Sequence, residues 1–233
     1  DRVALGRWVL ERYPVDCIVL DDGFQHRALH RDVDLVLLDA TDAVGLDALL
    51  PAGRLREPLQ ELDRASAVMI TRADSRQDVE AIHSRLRAVV CPSEDAIEVV
   101  FRPEFLIAVV SGGQQSVGWG RKKKAWLVSG IGNSYSFRRS AESIGVEILG
   151  ETSFEDHHRY SDDEIRQIRA TAQTNGSEIV LTTEKDGGKL SPFLQPSDPW
   201  WMLRLGTEVV RGEARLYGLI DGLLTDETEQ VEV

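Results

Sequence analysis

Hydrophobic and polar positions along the chain fall into two textures, and they predict where helices and strands lie. Val3, Ala4, Trp8 and Val9 recur at helical spacing, which predicts an opening helix. It ends near Pro14, because the residue before a proline is pushed out of the α region. "VDCIVLDDG" (15–23) and "VDLVLLDA" (33–40) are then short apolar runs bounded by turn residues. Both are apolar on both faces, the pattern of central strands in a parallel sheet covered by helices. A helix-like "REPLQELDRA" (56–65) precedes a third buried strand in "RASAVMITRAD" (64–74), and "DVEAIHSRLRAV" (78–89) predicts a further helix.

The texture changes at "AIEVVFRPEFLIAVV" (96–110), where long extended segments lead into the Gly-rich "SGGQQSVGW" and the basic "KKKAWLVSGIG". After it, alternation returns: strand "AWLVSG", helix "SFRRSAESIG", strand "VEILGETSF", helix "SDDEIRQIRATAQTNG" and strand "EIVLTTEKD". Alternating strand and helix imply an α/β layer structure. The pattern divides the chain into a first α/β region at 1–98, a β-rich linker at 99–124, a C-terminal α/β lobe at 125–225 and an acidic tail at 226–233. At 233 residues two modest domains are the expectation.

Composition adds three bounds. The formal charge of −12 gives no bulk attraction for nucleic acid. Cys17 and Cys91 lie in or beside apolar runs without zinc or redox spacing, which predicts core thiols in a reducing compartment. No apolar run approaches the roughly 18 residues of a transmembrane helix and no signal peptide opens the chain, so the chain reads as soluble. The opening lacks a methionine and starts within a helix, which predicts a sequence that begins inside a domain.

The candidate chemistry gathers at strand ends. In an open α/β sheet, ligands collect at the carboxyl ends of strands, where the predicted strands place Asp21, Asp22 and Asp39. Two adjacent carboxylates suit a hard divalent cation. Asp-Gly is also a favoured hairpin turn, but "FQHRALHRD" after it does not alternate. His26 and His30 share the four-residue spacing of zinc ligands on a helix, without HExxH or cysteines beside them. "FEDHHRY" (154–160) sets an acid beside two imidazoles on a strand-to-helix loop, an arrangement used in acid–base chemistry and equally in helix capping. Arg54 and Arg56 in "LLPAGRLREP" (49–58) are of the type that binds phosphate, although surface arginines are mostly solvated. "SGIGN" (129–133) and "TTEKD" (182–186) follow predicted strands; Glu184, Lys185 and Asp186 receive no assignment from the sequence.

Together, "DDGFQH" (21–26), "LLPAGRLREP", "SGIGN", "FEDHHRY" and "LTTEKD" (181–186) resemble, in order and with comparable gaps, the tetraacyldisaccharide 4'-kinase family of lipid A biosynthesis. The resemblance covers nearly the whole chain. It implies a P-loop NTPase-like parallel sheet core joined by a β-stranded linker to a smaller α/β lobe. The implied reaction is ATP-dependent phosphorylation of the 4'-hydroxyl of tetraacyldisaccharide 1-phosphate, by a monomer peripheral to the cytoplasmic face of the bacterial inner membrane. By the same resemblance Asp21 and Asp22 form a Walker B element holding Mg²⁺, with Glu57 as a further magnesium ligand. Gln25, His26, Arg2 and Arg56 face the substrate, and His157 pairs with a catalytic aspartate outside this sequence.

The sequence departs from the family at the phosphate-binding loop. P-loop enzymes use GxxxxGK[ST], whose amides, lysine and hydroxyl cradle the phosphates and metal. Here the only Gly-Lys, Gly188-Lys189, is followed by Leu190 and has no glycine five residues before it. The expectation is an N-terminally truncated chain, inactive on its own. Two other classes stay open: a metal-dependent phosphohydrolase built on Asp21, Asp22, His26, Asp156 and His157, and a non-catalytic nucleotide-binding remnant.

Overall fold

The computed structural model describes residues 1–89 and 96–225, so Cys91 and the acidic tail at 226–233 lie outside the described residues. The fold is α/β with a predominantly parallel sheet, and the chain divides into two compact units: Asp1–Val100 with Glu208–Val233, and Phe101–Thr207.

In the first unit, helix α1 (Arg2–Leu10) begins on the Asp1 side chain, which accepts from the backbone N–H of Val3 at 2.9 Å. It buries none of its residues, and Leu5, Trp8 and Leu10 stay exposed. Strands β1 (Leu35–Asp39) and β2 (Ala67–Thr71) run parallel, Leu35 opposite Ala67 through Asp39 opposite Thr71, and β2 pairs in parallel with the start of β3 (Ile97–Ala108) at Met69–Ile97. Helix α2 (Arg76–Arg87) is capped by Ser75 and buries Val79, Ile82, His83 and Leu86. That i, i+3, i+4, i+7 spacing is one helical face, and it closes a core with Leu38, Val68 and Ile70. Helix α6 (Glu213–Thr225) brings Leu216 and Leu219 against Ala67, Ile97 and Val99.

In the second unit, strand β4 (Gln114–Ser116) pairs antiparallel with the end of β3. Strands β5 (Lys124–Ser129), β6 (Glu147–Ser153), β7 (Ile179–Thr183) and β8 (Trp200–Arg211) pair in parallel, in the order β8-β7-β5-β6. Parallel strands require crossovers. They are supplied by α3 (Ser134–Ser143), α4 (Asp162–Thr174) and α5 (Glu184–Leu190) with the chain that follows it. Ile165, Ile168 and Ala172 of α4 pack with Val128, Val180 and Trp200, while Phe137 and Ala141 of α3 pack with Leu127 and Leu181. Because β5, β6 and β7 are parallel, the loops after them leave from one end of this sheet.

Four expectations change. The run at 15–20 forms no strand: no strand among the described residues pairs with it, and Val15, Ile18 and Val19 are exposed, Val19 at 91%. An apolar run becomes a strand only where backbone partners exist. The helix-like 56–65 is a short 3₁₀ segment at Leu59–Arg64, started by Pro58. Cys17 is exposed rather than a core thiol, because the run that carries it is uncovered. Finally, residues 208–225 belong with the first unit, since Val209, Leu216 and Leu219 bury against its core, whereas the sequence pattern groups them with the C-terminal lobe.

Candidate functional site

Asp21 and Asp22 form a turn flanked by irregular chain, so they sit neither at a strand end nor in a hairpin. Asp22 is left-handed at φ 49°, a conformation Asp tolerates because its short polar side chain bonds locally. Gly23 follows with Leu20 folded over it: a Cβ there would lie 2.5 Å from Leu20 Cδ2, so a larger residue would have to displace that side chain. Arg56 Nη1 donates to both Asp22 oxygens, at 2.8 Å (Oδ1) and 2.7 Å (Oδ2). From α1, Arg2 donates to the carbonyls of Asp22 (3.2 Å) and Asp21 (3.4 Å). The Arg56 hydrogen bond and charge, with a smaller pull from Arg2, hold the Asp22 carboxyl below the usual carboxylate range.

Three stretches distant in sequence thus meet at Arg2, Asp21-Asp22 and Arg56. Glu57 turns to a different partner set: Arg64 Nη2 at 2.5 Å and Arg27 Nη2 at 3.5 Å. Arg64 also donates to the Phe24 carbonyl at 3.2 Å and lies over the Phe24 ring, so it braces the loop after the acidic pair. Sequence reasoning passed over Arg64 because nothing in its neighbours distinguishes it from a surface arginine. Gln25 is exposed. His26 has a buried Nε2 without a hydrogen-bond partner, and His30 is exposed beside Asp32, so the four-residue spacing makes no shared site. Asp39 accepts from the Thr41 N–H at 3.0 Å and pairs with Arg72, while Arg54 pairs with Asp42 at 3.0 Å.

Asp21 and Asp22 suit Mg²⁺ by donor chemistry: they are hard oxygen donors on adjacent residues, and Mg²⁺ commonly takes one or two carboxylates while keeping waters and phosphate oxygens. Glu57 fits less well, its carboxylate being shared by two arginines. Among the described residues no three His, Cys, Asp or Glu side chains gather into a metal-binding cluster.

In the second unit, three loops meet. "SGIGN" follows β5, "FEDHHRY" follows β6, and "TTEKD" joins β7 to α5. Asp186, fully buried, ties the first of them to the third. Its Oδ2 accepts from the Gly130 N–H at 2.9 Å and from Thr183 Oγ1 at 2.8 Å, and its Oδ1 accepts from Lys189 Nζ at 3.2 Å. The Tyr160 hydroxyl lies beside the same carboxylate without closing a hydrogen bond of ordinary geometry. Burial first, then the Asp186 charge, push that phenol well above its usual range.

The two imidazoles separate. His158 Nε2 lies 3.1 Å from Glu164 Oε1 and its ring stacks on Phe154, with centroids 4.2 Å apart, so it is held as structure. His157 projects outward, its side chain 80% exposed, from a left-handed backbone at φ 62°. Its N–H donates to Asp156 Oδ1 at 2.9 Å, and its Nε2 stands 3.8 Å from Asp156 Oδ2. Lys185 Nζ donates to Asp156 Oδ1 at 2.7 Å, which with the His157 N–H keeps the Asp156 carboxyl below the usual range.

Residues 1–225 match the family described as LpxK, tetraacyldisaccharide-1-P 4'-kinase. The chain belongs to this family. The tetraacyldisaccharide 4'-kinase of Anaeromyxobacter sp. (strain Fw109-5) is 35% identical over 229 residues, covering 96% of this chain and 60% of that protein. That of Syntrophus aciditrophicus (strain SB) is 37% identical, covering 83% of this chain and 54% of that protein. A crystal structure of LpxK from Aquifex aeolicus in complex with ATP superposes with a TM-score of 0.68 at 30% identity, covering 95% of this chain and 62% of that one. Its likeness agrees with the P-loop NTPase-like α/β fold expected from the sequence. The chain therefore spans 54–60% of the length of these two curated relatives.

Proposed function

We propose that the protein is an ATP-dependent kinase that phosphorylates the 4'-hydroxyl of tetraacyldisaccharide 1-phosphate, a lipid A precursor, at the cytoplasmic face of the inner membrane. Family membership over residues 1–225 supports the activity, and the ATP bound by the Aquifex aeolicus LpxK supports the phosphate donor. The observation that carries the reading is the convergence of Arg2 and Arg56 on Asp21-Asp22, because the reaction needs acid and base together. Carboxylates serve the metal side of a nucleotide, and guanidinium groups serve the anionic substrate.

The roles follow from the charges. Asp22, kept ionised by Arg56, and Asp21 would hold Mg²⁺, which when bound offsets the charge of the transferring phosphoryl group. Arg56 and Arg2 would orient the 1-phosphate, the Asp22–Arg56 pair opening as each partner takes its ligand. Gln25 and His26 would line the substrate side. Exposed on its loop, His157 is free to contact a reacting group and would steer the proton leaving the 4'-hydroxyl by pairing with the base that accepts it. No helix among the described residues is long and apolar enough to cross a membrane.

The test is transfer of labelled phosphate from ATP to the tetraacylated disaccharide by the full-length protein. Asp22→Asn and His157→Ala are each expected to lower kcat by roughly 10²-fold or more. Arg56→Ala is expected to raise KM for the lipid with little change in KM for ATP. Unaltered turnover in Asp22→Asn would refute the assignment. The 233 residues alone contain no GxxxxGK[ST]. They are expected to show no turnover above an Asp22→Ala control.

A further inference from the structure

The "TTEKD" stretch carries chemistry that none of the roles above uses. Its three charged residues, at the start of α5, diverge to separate partners: Glu184 to Arg204 at 2.8 Å, Lys185 to Asp156 at 2.7 Å, and Asp186 to Gly130, Thr183 and Lys189. We propose that Lys185 is a positioning residue for His157: it fixes Asp156, and Asp156 fixes the left-handed backbone from which the His157 imidazole projects. The proposal rests on the reading in which His157 takes part in phosphoryl transfer.

The chain of dependence is geometric. A non-glycine residue at φ 62° is held by its surroundings rather than by its own preference. For His157 that support is the bond from its N–H to Asp156 Oδ1. The same oxygen is gripped by Lys185 Nζ, so the ammonium sets where the acceptor sits. Lys185 is in turn placed by its neighbour. Asp186 is buried and locked to the Gly130 N–H and to the Thr183 cap, which leaves the first turn of α5 no freedom to rotate. Lysine suits this place because a mobile ammonium can hold one oxygen while the second faces the imidazole.

The test compares Lys185→Met, Lys185→Arg, His157→Ala and the Lys185→Met/His157→Ala double variant in the full-length protein. Lys185 is 42% exposed on its side chain, so none of these changes opens a core. Positioning predicts that Lys185→Met lowers kcat about tenfold with KM for ATP and lipid within about twofold, that Lys185→Arg recovers most of it, and that the double variant is no slower than His157→Ala. Independently of turnover, the ¹³C titration of the Asp156 carboxyl should move up towards the ordinary range in Lys185→Met and stay low in Lys185→Arg. A raised KM for ATP at unchanged kcat would assign Lys185 to the nucleotide and overturn the proposal, as would an unmoved Asp156 titration. Should His157→Ala itself keep full activity, the reading of His157 fails and this proposal with it. If His157→Ala is slow while Lys185→Met is not, the positioning role alone is lost.

Discussion

Removing the Asp186 carboxylate is the sharpest test of how the second unit is held together. In Asp186→Ala the Gly130 N–H, buried, loses its acceptor at 2.9 Å, and an unsatisfied buried donor costs about 1–3 kcal/mol. The Thr183 hydroxyl loses the acceptor at 2.8 Å, worth about 1 kcal/mol. Lys189 loses its ion pair but is 30% exposed on its side chain and can return to water, so its share is small. Together these give about 3 kcal/mol. Asp186→Asn keeps an oxygen for the Gly130 N–H and loses the charge, so it should cost about 1–2 kcal/mol.

Urea unfolding followed by tryptophan fluorescence reads this unit, because four of the five tryptophans, Trp119, Trp126, Trp200 and Trp201, lie in it. With m near 2 kcal/mol/M, Asp186→Ala should lower the midpoint by about 1.5 M at unchanged m. A loss below about 1 kcal/mol would refute the claim that Asp186 holds the Gly130 loop to the start of α5. Equal losses in Asp186→Asn and Asp186→Ala would show that charge, not the acceptor geometry, matters.

Two further outcomes are expected. Gly150 lies under the Trp126 ring, where a Cβ would stand 2.3 Å from Cζ3, so Gly150→Ala should cost about 1–3 kcal/mol in the same urea experiment and change the fluorescence of the folded protein. The hydroxyl and N–H of Ser161 hold the Glu164 carboxyl below its ordinary 4.5. A depressed acid stabilises above its unfolded value and loses that contribution as pH falls through the folded one, so wild type should exceed Glu164→Gln by about 1 kcal/mol or less at pH 7, and the gap should close below pH 4.5.

What the sequence made legible was the second unit's framework. "AWLVSG", "VEILGETSF" and "EIVLTTEKD" read as strands and are so, since each run has a parallel neighbour in the chain: β5 lies between β6 and β7. The run at 15–20 has the same texture and forms no strand, because an apolar pattern reports what a segment would bury and is silent on whether a partner is there to pair with it. Arg56 was picked out as a candidate through its motif, but its pairing with Asp22 across 34 residues was not legible. Lys185 and Asp186 were visible in "TTEKD" yet had no reading, because their meaning lies in Asp156 and Gly130, 29 and 56 residues away. Helix α6 gave no sign of its destination, since Leu216 and Leu219 are ordinary apolar positions whose partners are set by tertiary packing.

Asp22 and Asp156 are each held by a base from another motif, Asp22 by Arg56 and Asp156 by Lys185, and all four side chains are roughly half exposed. Exposed ion pairs contribute little stability, since water competes for each charge and ordering long side chains costs entropy. The second unit instead takes its rigidity from the fully buried Asp186 and from the apolar clusters beneath the loops. Asp22–Arg56 and Asp156–Lys185 are therefore pairs that open at small cost, while the first turn of α5 is tied by the buried Asp186 bonds. A variant that strengthens a surface pair, such as Lys185→Arg, should therefore leave stability nearly unchanged. Loosening the buried tie should unfold the loops before it alters any charge at the surface.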